Sequence, residues 1–342
     1  MATTLAQIVS EIAKLSIEDQ KRLQIEINGL LASHESGVTS VMEIRKQTFE
    51  KKDITCPYCD SSEIIGFGNY NGKRRYRCKL CHRTFNDLTG TSISRLHKKD
   101  SFIEYFKCLS KGLSLRQSAK ELGISLQTSF DWRHKILKAF KDVGCAKLEG
   151  IIEGDETFFL FSEKGNKQLE GRKPRKRGGN TESKGISDKQ VAVLVATDRN
   201  RNIIIEPACL GRIKTKDIER ILGKWIDKKS GVLCTDYHVS YQGFAKKKEL
   251  KHVKLKGSIK QYVKENIYHI QNVNNIQSLM KKWMVQFNGV ASKYLENYMN
   301  WFRIIRKLGE DEPLSNEYLN YALQSNKAYI PAKNIKQHKF GT

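Results

Sequence analysis

Three oxygen-bearing side chains and one lysine stand in settings that suit metal-dependent phosphoryl transfer. Asp155 lies in the run GDETFF and Asp236 in the run LCTDYHVSY, each where a β-strand is expected. Asn274 opens a helical run, HIQNVNNIQSLMKKW, and Lys281 follows about two turns later on nearly the same face. Mg²⁺ and Mn²⁺ prefer oxygen ligands. The sequence therefore predicts a site in which Asp155, Asp236 and Asn274 hold Mg²⁺ or Mn²⁺ and Lys281 holds a phosphate.

Each of these residues also has an ordinary structural explanation when it is taken alone. An aspartate at a strand end often caps a turn, and Asn274 could cap its helix. Asn274 is a neutral ligand where a third carboxylate is commoner, so we expect weaker metal binding than with glutamate. Glu156 should point to the opposite face of the strand from Asp155 and support the site rather than bind metal. The order and context of the whole set favour the catalytic interpretation.

The charge of the chain indicates a polyanionic partner. It has 61 Lys and Arg against 37 Asp and Glu, a net charge of +24. Nucleic acid, such as double-stranded DNA, is the simplest partner for such an excess; a solvated basic surface is the alternative, and an anionic membrane is a weaker one. No apolar run approaches the ~18 residues of a membrane span, and the start shows no signal-peptide pattern. We expect a cytoplasmic, nucleoid-associated protein without a membrane partner.

Four of the eight cysteines form two C-x-x-C pairs, Cys56 with Cys59 and Cys78 with Cys81. Between the pairs, an alternating stretch surrounds Asn71-Gly72, a strong hairpin-turn signal. This order predicts a zinc ribbon with four thiolate ligands; iron is the alternative metal. The ribbon is also expected to touch DNA, through basic residues interleaved with Tyr70 and Tyr76: Lys73, Arg74, Arg75, Arg77, Lys79 and Arg83.

The next segment has the pattern of a helix-turn-helix. Ser114 and Ser125 are placed to cap two helices, and Gly123 is placed to make the turn between them. The second helix, residues 126–138, would be the recognition helix. A plain helical hairpin is the alternative, because Ser129 stands where such motifs usually have a branched apolar residue. The side chains expected at base edges are Gln127, Thr128, Asp131 and Arg133.

Beyond residue 147 the pattern becomes α/β. A helix is expected at residues 215–226 and a long helical tail at 272–308. Three consecutive strands, then a helix, a strand and further helices is the order of a ribonuclease-H-like fold. A basic, glycine-rich loop after the first strand is expected to contact DNA through Arg172, Lys173, Arg175, Lys176 and Arg177. The expected strands cover residues 150–161, 190–197, 202–209, 231–235 and 252–255.

The chain is thus predicted to be a multidomain α+β protein, in which an N-terminal zinc ribbon and helix-turn-helix precede an α/β ribonuclease-H-like catalytic domain. The N-terminal helical arm should contain two short helices within residues 4–31, with Ser16 as an N-cap. The expected domains are this arm (1–50), the ribbon (51–97), the helix-turn-helix region (98–147), the catalytic domain (148–310) and a C-terminal tail (311–342).

Together these pieces resemble the ISXO-type bacterial insertion-sequence transposases, the IS-1595 group. The resemblance covers roughly residues 50–305 and rests on CPYC with CKLC, GDETFF with RKPRKRG, LCTDYHVSYQGFA, and HIQNVNNIQSLMKKW with the segment after it. It implies that Asp155, Asp236 and Asn274 are a DDE-type metal triad in its Asn variant, with Lys281 the basic residue after it. His269 matches a histidine that precedes the third ligand; a structural role for it is the alternative.

The resemblance implies DNA transposition: binding of terminal inverted repeats, metal-dependent cleavage, and strand transfer into target DNA. Pairing two DNA ends implies a homodimer or larger assembly. Two other functions remain open at this point. One is a domesticated relative that binds DNA as a regulator without cutting it. The other is a ribonuclease-H-like metal nuclease that hydrolyses DNA but never joins it.

Overall fold

A computed structural model describes residues 54–141, 143–166, 168–169, 185–256, 259, 261–308 and 328–337, with isolated positions at 7, 12–16, 19–20, 23, 45, 318–319 and 322–323. The chain divides into two compact units. The first comprises residues 1–89 and 93–104, and the second comprises residues 90–92 and 105–342.

The first unit contains a three-stranded antiparallel sheet with strands β1 (Ile64–Tyr70), β2 (Lys73–Cys78) and β3 (Thr84–Asn86). Asn71 and Gly72 join β1 to β2 with φ values of 49° and 71°, so the predicted hairpin turn is confirmed. The small core consists of the cysteine pairs with Tyr76 and Phe85, whose rings stack at 5.5 Å. So small a core needs further stabilisation, which the four cysteines are placed to supply through a metal.

The second unit contains a five-stranded mixed sheet in the order β6-β5-β4-β7-β8. Strands β4, β5 and β6 pair antiparallel, whereas β4 with β7 and β7 with β8 pair parallel. This is the ribonuclease-H-like arrangement that the element order predicts. The strands are β4 (Gly150–Leu160), β5 (Gln190–Asp198), β6 (Ile203–Leu210), β7 (Gly231–Asp236) and β8 (Lys251–Leu255).

Helices cover both faces of this sheet, which explains why β5 is an almost unbroken run of apolar, buried residues. Helices α4 (Thr215–Leu222) and α5 (Val239–Lys248) pack on one face, with Tyr241 and Phe244 in the core. Helices α6 (Gln271–Val285) and α7 (Leu295–Leu308) contact strands β4 to β6. A short hairpin, β9 (Val263–Lys264) with β10 (Tyr268–His269), leads into α6.

Three details of the helices differ from the sequence-based expectations. Helix α5 was not among the expected elements, because its residues have almost no one-sided apolar pattern. Helix α4 ends at Leu222 rather than 226, just before Gly223. The expected continuous tail is broken after Val285, and a 3₁₀ turn, Ser292–Tyr294, precedes α7. Gly289, with φ of +88°, provides the backbone conformation that this break requires.

The predicted helix-turn-helix is present in α1 (Lys99–Ser110), α2 (Leu115–Glu121) and α3 (Leu126–Ala139), with α8 (Ala332–Gln337) near the end of the chain. Ser114 and Ser125 cap α2 and α3, and Gly123 turns with φ of +59°. Ser129 is fully buried, but its hydroxyl donates to the carbonyl of Leu115 and lies 2.9 Å from the hydroxyl of Tyr105. A polar residue is therefore accommodated there without an unpaired group.

Arg133 is the one predicted base-reading side chain whose placement is wrong. It is fully buried, and its Nη2 donates to the carbonyl of Leu113 at 2.6 Å and to Ser118 Oγ at 3.2 Å. Its guanidinium also lies 5.1 Å from the ring of Trp301 in α7. Because α7 covers this side of α3, Arg133 connects α3 to the loop before α2 and is not available to a DNA base.

Two sets of sequence-based expectations lie wholly or mostly outside the described residues. These are the two helices of the N-terminal arm and the basic loop with Arg172, Lys173, Arg175, Lys176 and Arg177. In the described part of the arm, the backbone N–H of Asp19 donates to Ser16 Oγ at 3.1 Å, as the predicted N-cap requires. Among the described helices, none is both long and apolar enough to cross a membrane.

Replacing Arg133 with alanine should destabilise the protein by about 3 kcal/mol, because it removes two buried hydrogen bonds and leaves a cavity beside Trp301. Thermal unfolding measures the effect. Gln127→Ala, at an exposed position of the same helix, is the matched control and should leave the melting temperature within about 1 °C of wild type. Equal melting temperatures for Arg133→Ala and wild type would contradict this placement.

Candidate functional site

Asp155 and Asp236 lie on adjacent parallel strands. The register of β4 and β7 pairs Glu153 with Cys234, so Asp155 and Asp236 are each two residues further along the same face. Asp236 is the last residue of β7, where the loop to α5 begins. Its Oδ1 accepts a hydrogen bond from the backbone N–H of His238 at 3.1 Å. The expected juxtaposition of the two aspartates is therefore present.

Helix α6 brings a third polar side chain to this pair, but it is Gln277 rather than Asn274. The Gln277 amide donates to Asp155 Oδ2 at 3.0 Å, and its side chain is almost buried. Asn274, one turn earlier on the same helix face, is exposed, and so is Lys281. The contact of Gln277 with Asp155 is not among the sequence-based predictions. Its spacing of three residues from Asn274 was the signal available.

A second carboxylate on β4, that of Glu153, holds the start of α6. It is 1% exposed, and its Oε2 accepts hydrogen bonds from the backbone N–H groups of Asn272 and Val273 at 2.9 and 3.1 Å. Its Oε1 accepts from Asn272 Nδ2 at 2.8 Å. A carboxylate at a helix N-terminus is favoured because it pairs with unsatisfied N–H groups and with the helix dipole. Glu153 therefore fixes α6 against β4, two residues from Asp155.

Two further side chains surround Glu153. Arg199 Nη1 lies 2.7 Å from Glu153 Oε1, and its Nη2 donates to the carbonyl of Ile267, just before β10. His269 Nδ1 lies 3.3 Å from Glu153 Oε1. Neither side chain contacts Asp155 or Asp236 among the described interactions. This arrangement favours the structural role that the sequence left open for His269, and neither Glu153 nor Arg199 was singled out from the sequence.

The carboxylate of Asp155 is in an unfavourable electrostatic setting. Burial, then the neighbouring charge of Glu156, and further the charge of Asp236, raise the pKa of Asp155 to about 7 from its ordinary value of 3.8; the hydrogen bond from Gln277 opposes the shift. A group whose ionised form is destabilised in this way gains most from a bound cation. This is the electrostatic signature expected of a metal-binding carboxylate.

Glu156 lies on the other face of β4, as its position in the strand predicts. Its Oε2 accepts a hydrogen bond from the hydroxyl of Tyr241 in α5 at 2.8 Å. Burial raises the pKa of Glu156, and the Tyr241 hydrogen bond opposes that shift. Burial and the nearby charges of Glu156, Asp155 and Asp236 raise the pKa of Tyr241. Tyr241 therefore remains a neutral donor that holds Glu156 in place.

The donor set fits a hard divalent cation. Two carboxylates on adjacent strands and two amides on one helix would all bind a metal through oxygen, which suits Mg²⁺ or Mn²⁺ better than a soft metal. The repulsion that raises the pKa of Asp155 is what such a cation would relieve. Cys234, two residues before Asp236, does not alter this set, because it is buried and burial raises its pKa to about 11.

The four ribbon cysteines converge on one point, where they could hold a metal ion. All four sulfur atoms lie within 4.8 Å of one another, with Cys56 Sγ 3.5 Å from Cys81 Sγ and Cys59 Sγ 3.6 Å from Cys78 Sγ. A hydrogen bond from the backbone N–H of Cys81 lowers the pKa of Cys78 to about 6, against the effect of burial. Four thiols this close, with one ready to ionise, fit a tetrahedral zinc ion.

The remaining predicted DNA-contacting residues are partly available. Gln127 is exposed in the first turn of α3 and donates to Asp131 Oδ1 at 2.7 Å, and Thr128 beside it is half-buried. The first turn of a recognition helix is the part that reaches base edges in helix-turn-helix proteins. In the ribbon, Arg75 lies over the exposed rings of Phe67 and Tyr70, at 5.2 and 5.9 Å.

Three comparisons show which known proteins this chain is similar to. Residues 147–303 match the family described as the ISXO2-like transposase domain. A protein in the transposable element ISH50 of Halobacterium salinarum is 26% identical over 264 residues, covering 75% of this chain and 87% of that protein. A chain from the crystal structure of a pre-cleavage Mos1 transpososome is 10% identical with a TM-score of 0.20, covering 70% of this chain and 81% of that chain.

The ionisation of Asp155 should reduce stability as the pH rises. The pKa of Asp155 is higher in the folded than in the unfolded protein. The stability that comes from keeping Asp155 protonated is therefore fully present below about pH 4 and is lost progressively up to about pH 7. Asp155→Asn, which carries no charge, should therefore be more stable than wild type in the presence of chelator. The difference in the free energy of unfolding should be about 3 kcal/mol at pH 8 and smaller at pH 5. Thermal unfolding at the two pH values measures both gaps.

The exposed Asp227, which pairs with Lys147, provides the matched control: Asp227→Asn should show no such growing gap. Adding Mn²⁺ should raise the melting temperature of wild type at pH 8 but not that of Asp155→Asn, because a ligand stabilises only the state that binds it. A pH-independent difference between Asp155→Asn and wild type would contradict the electrostatic account.

Proposed function

We propose that this protein is an insertion-sequence transposase that cleaves DNA at the element's ends and joins those ends to target DNA. The match of residues 147–303 to the ISXO2-like transposase domain supports this proposal. The observation that carries the proposal is the meeting of Asp155 on β4 with Asp236 on β7, opposite helix α6. A site of this kind serves both steps, because each step is a phosphoryl transfer.

In the first step, a water oxygen bonds to the phosphorus at the element's end, and the bond to the 3′-oxygen breaks. In the second step, that 3′-hydroxyl attacks a target phosphodiester and releases a new 3′-hydroxyl. Asp155 and Asp236, with Asn274, would hold the divalent metal, which when bound activates the attacking oxygen and stabilises the leaving one. Gln277 holds Asp155 in place, and Glu153 holds the helix.

The role proposed for Asn274 rests on two supports. One is the family resemblance of the run in which it lies. The other is its position one turn before Gln277, whose amide contacts Asp155. Lys281, two turns after Asn274, is exposed and is proposed to hold a phosphate of the DNA end. We therefore expect Asn274 to be needed for chemistry and Gln277 to be needed for the position of Asp155.

The binding steps are assigned to the N-terminal modules. The ribbon, with zinc on its four cysteines, and the first turn of α3 with Gln127 and Thr128 would recognise the terminal inverted repeats. The basic loop around Arg172 to Arg177 would hold backbone phosphates. Because two ends must be paired before they are joined, the working complex would contain at least two copies of the chain.

A strand-transfer assay tests the proposal, with purified protein, a labelled duplex carrying the element's end, plasmid target, and Mg²⁺ or Mn²⁺. Joined product is expected with wild type and with the control Asp227→Asn. Asp155→Asn, Asp236→Asn and Asn274→Ala should each reduce it by at least ~10³-fold while DNA binding is retained, and Gln277→Ala should reduce it less, roughly tenfold.

Other outcomes support the rival functions. Cleavage of the duplex without joining, also when pre-cut ends are supplied, would favour a metal nuclease. Binding of the duplex with no product in either metal would favour a non-cutting DNA-binding regulator. Full activity of Asn274→Ala with loss in Gln277→Ala would move the third-ligand role to Gln277.

A further inference from the structure

Two lysines gather around one exposed tyrosine immediately after Asp236. The ammonium of Lys256 lies 4.6 Å from the centre of the Tyr237 ring, and that of Lys254 lies 5.3 Å from it. Tyr237 is 51% exposed, Lys256 is exposed and Lys254 is half-buried. We call these three residues the Tyr237 platform. A ring of this kind attracts cations to its face, while the two ammonium groups repel each other.

The platform differs from two other groups of lysines in the described part of the sheet domain because its charge is not neutralised. The ammonium of Lys251, which lies on strand β8 with Lys254, is 3.9 Å from a carboxylate oxygen of Glu265. Lys228 and Lys229 share the carboxylate of Glu249. Within the residues that the structure describes, neither Lys254 nor Lys256 forms an ion pair with a carboxylate. Two like charges held together without a counter-charge favour an anionic ligand.

The platform lies at the same end of the sheet as the proposed catalytic carboxylates, with Lys254 on the opposite face of β8 from Leu255. In the parallel pairing of β7 with β8, Asp236 is opposite Leu255, so the two lysines flank the residue that pairs with Asp236. Tyr237 follows Asp236 directly in the chain. His252, on the same strand, adds no positive charge at neutral pH, because burial, aided by the charge of Lys254, lowers its pKa to about 4.

We propose that the Tyr237 platform binds the DNA strand that enters the carboxylate site, with the two lysines on backbone phosphates and the tyrosine ring against a base or sugar next to them. The carboxylates of Asp155, Glu156 and Asp236 repel a phosphodiester, so cations are needed beside them to bring the strand in. An exposed aromatic ring flanked by cations is the arrangement that binds unpaired nucleotides. The identity of the strand rests on the proposed transposase function.

The first test compares two double variants with the same net charge. Lys254→Ala with Lys256→Ala removes the platform's charges, and Lys228→Ala with Lys229→Ala removes two exposed charges of the same domain. Binding of a duplex carrying the element's end is measured by fluorescence anisotropy in chelator over a range of salt concentrations. The platform variant should bind roughly 10-fold more weakly and lose about 1.8 from the slope of log K against log salt, since each phosphate contact contributes about 0.9.

The second test concerns the ring. A 2-aminopurine base at the end nucleotide reports stacking as a loss of fluorescence when protein binds. Wild type and Tyr237→Phe should quench it, whereas Tyr237→Ala should not. The same base placed in the middle of the duplex should respond equally to all three proteins. Thermal unfolding of each variant establishes that these differences are not caused by loss of the fold.

These measurements separate this inference from the proposed function, because they need neither metal nor cleavage. Equal weakening and equal salt slopes in the two double variants would overturn the platform, and so would equal quenching of the end base by wild type and by Tyr237→Ala. A wild-type protein that never joins DNA, but whose binding depends on the platform as described, would contradict the transposase function and leave the DNA-binding surface in place.

Discussion

The buried carboxylate of Glu153 is the constraint on which the rest of the site depends. An ionised group that is 1% exposed is costly unless all of its oxygen lone pairs are satisfied. The two oxygens of Glu153 accept hydrogen bonds from two backbone N–H groups and one side-chain amide of α6, and they pair with Arg199. These hydrogen bonds hold the first turn of α6 at Glu153 on β4. Since Asn274, Gln277 and Lys281 are all on this helix, their positions relative to Asp155 follow from it.

Strand β4 therefore carries three acids with different roles within four residues. Glu153 is fully paired, and Glu156 is held by the Tyr241 hydroxyl. Asp155 has hydrogen bonds from the Gln277 amide and from the backbone at Glu156, which do not outweigh its burial and the charges of Glu156 and Asp236. The fold tolerates the electrostatic destabilisation of Asp155 because the rest of the strand is firmly packed. Such local cost, carried by a stable scaffold, is typical of functional sites.

Much of this arrangement could be predicted from the sequence, because local patterns determine it. Alternation and apolar runs gave the strand limits to within about a residue, and the order of elements placed Asp155 and Asp236 on neighbouring strands. The predictions that the structure does not support concern contacts with distant segments of the chain. Arg133 is buried because Trp301 and α7, some 170 residues later, cover its side of α3. Gln277, rather than Asn274, meets Asp155 because Glu153 sets the position of the helix, which no pattern within α6 records.

The central claim is that β4, β7 and α6 form one divalent-metal site. The most direct measurement is a crystal structure with Mn²⁺, using data collected at the manganese absorption edge. The account predicts an anomalous peak bonded to carboxylate oxygens of both Asp155 and Asp236, with an amide oxygen from α6 beside it and the hydrogen bonds of Glu153 unchanged. A peak bonded to Glu153, or manganese bound elsewhere with both aspartates free of metal, would contradict it.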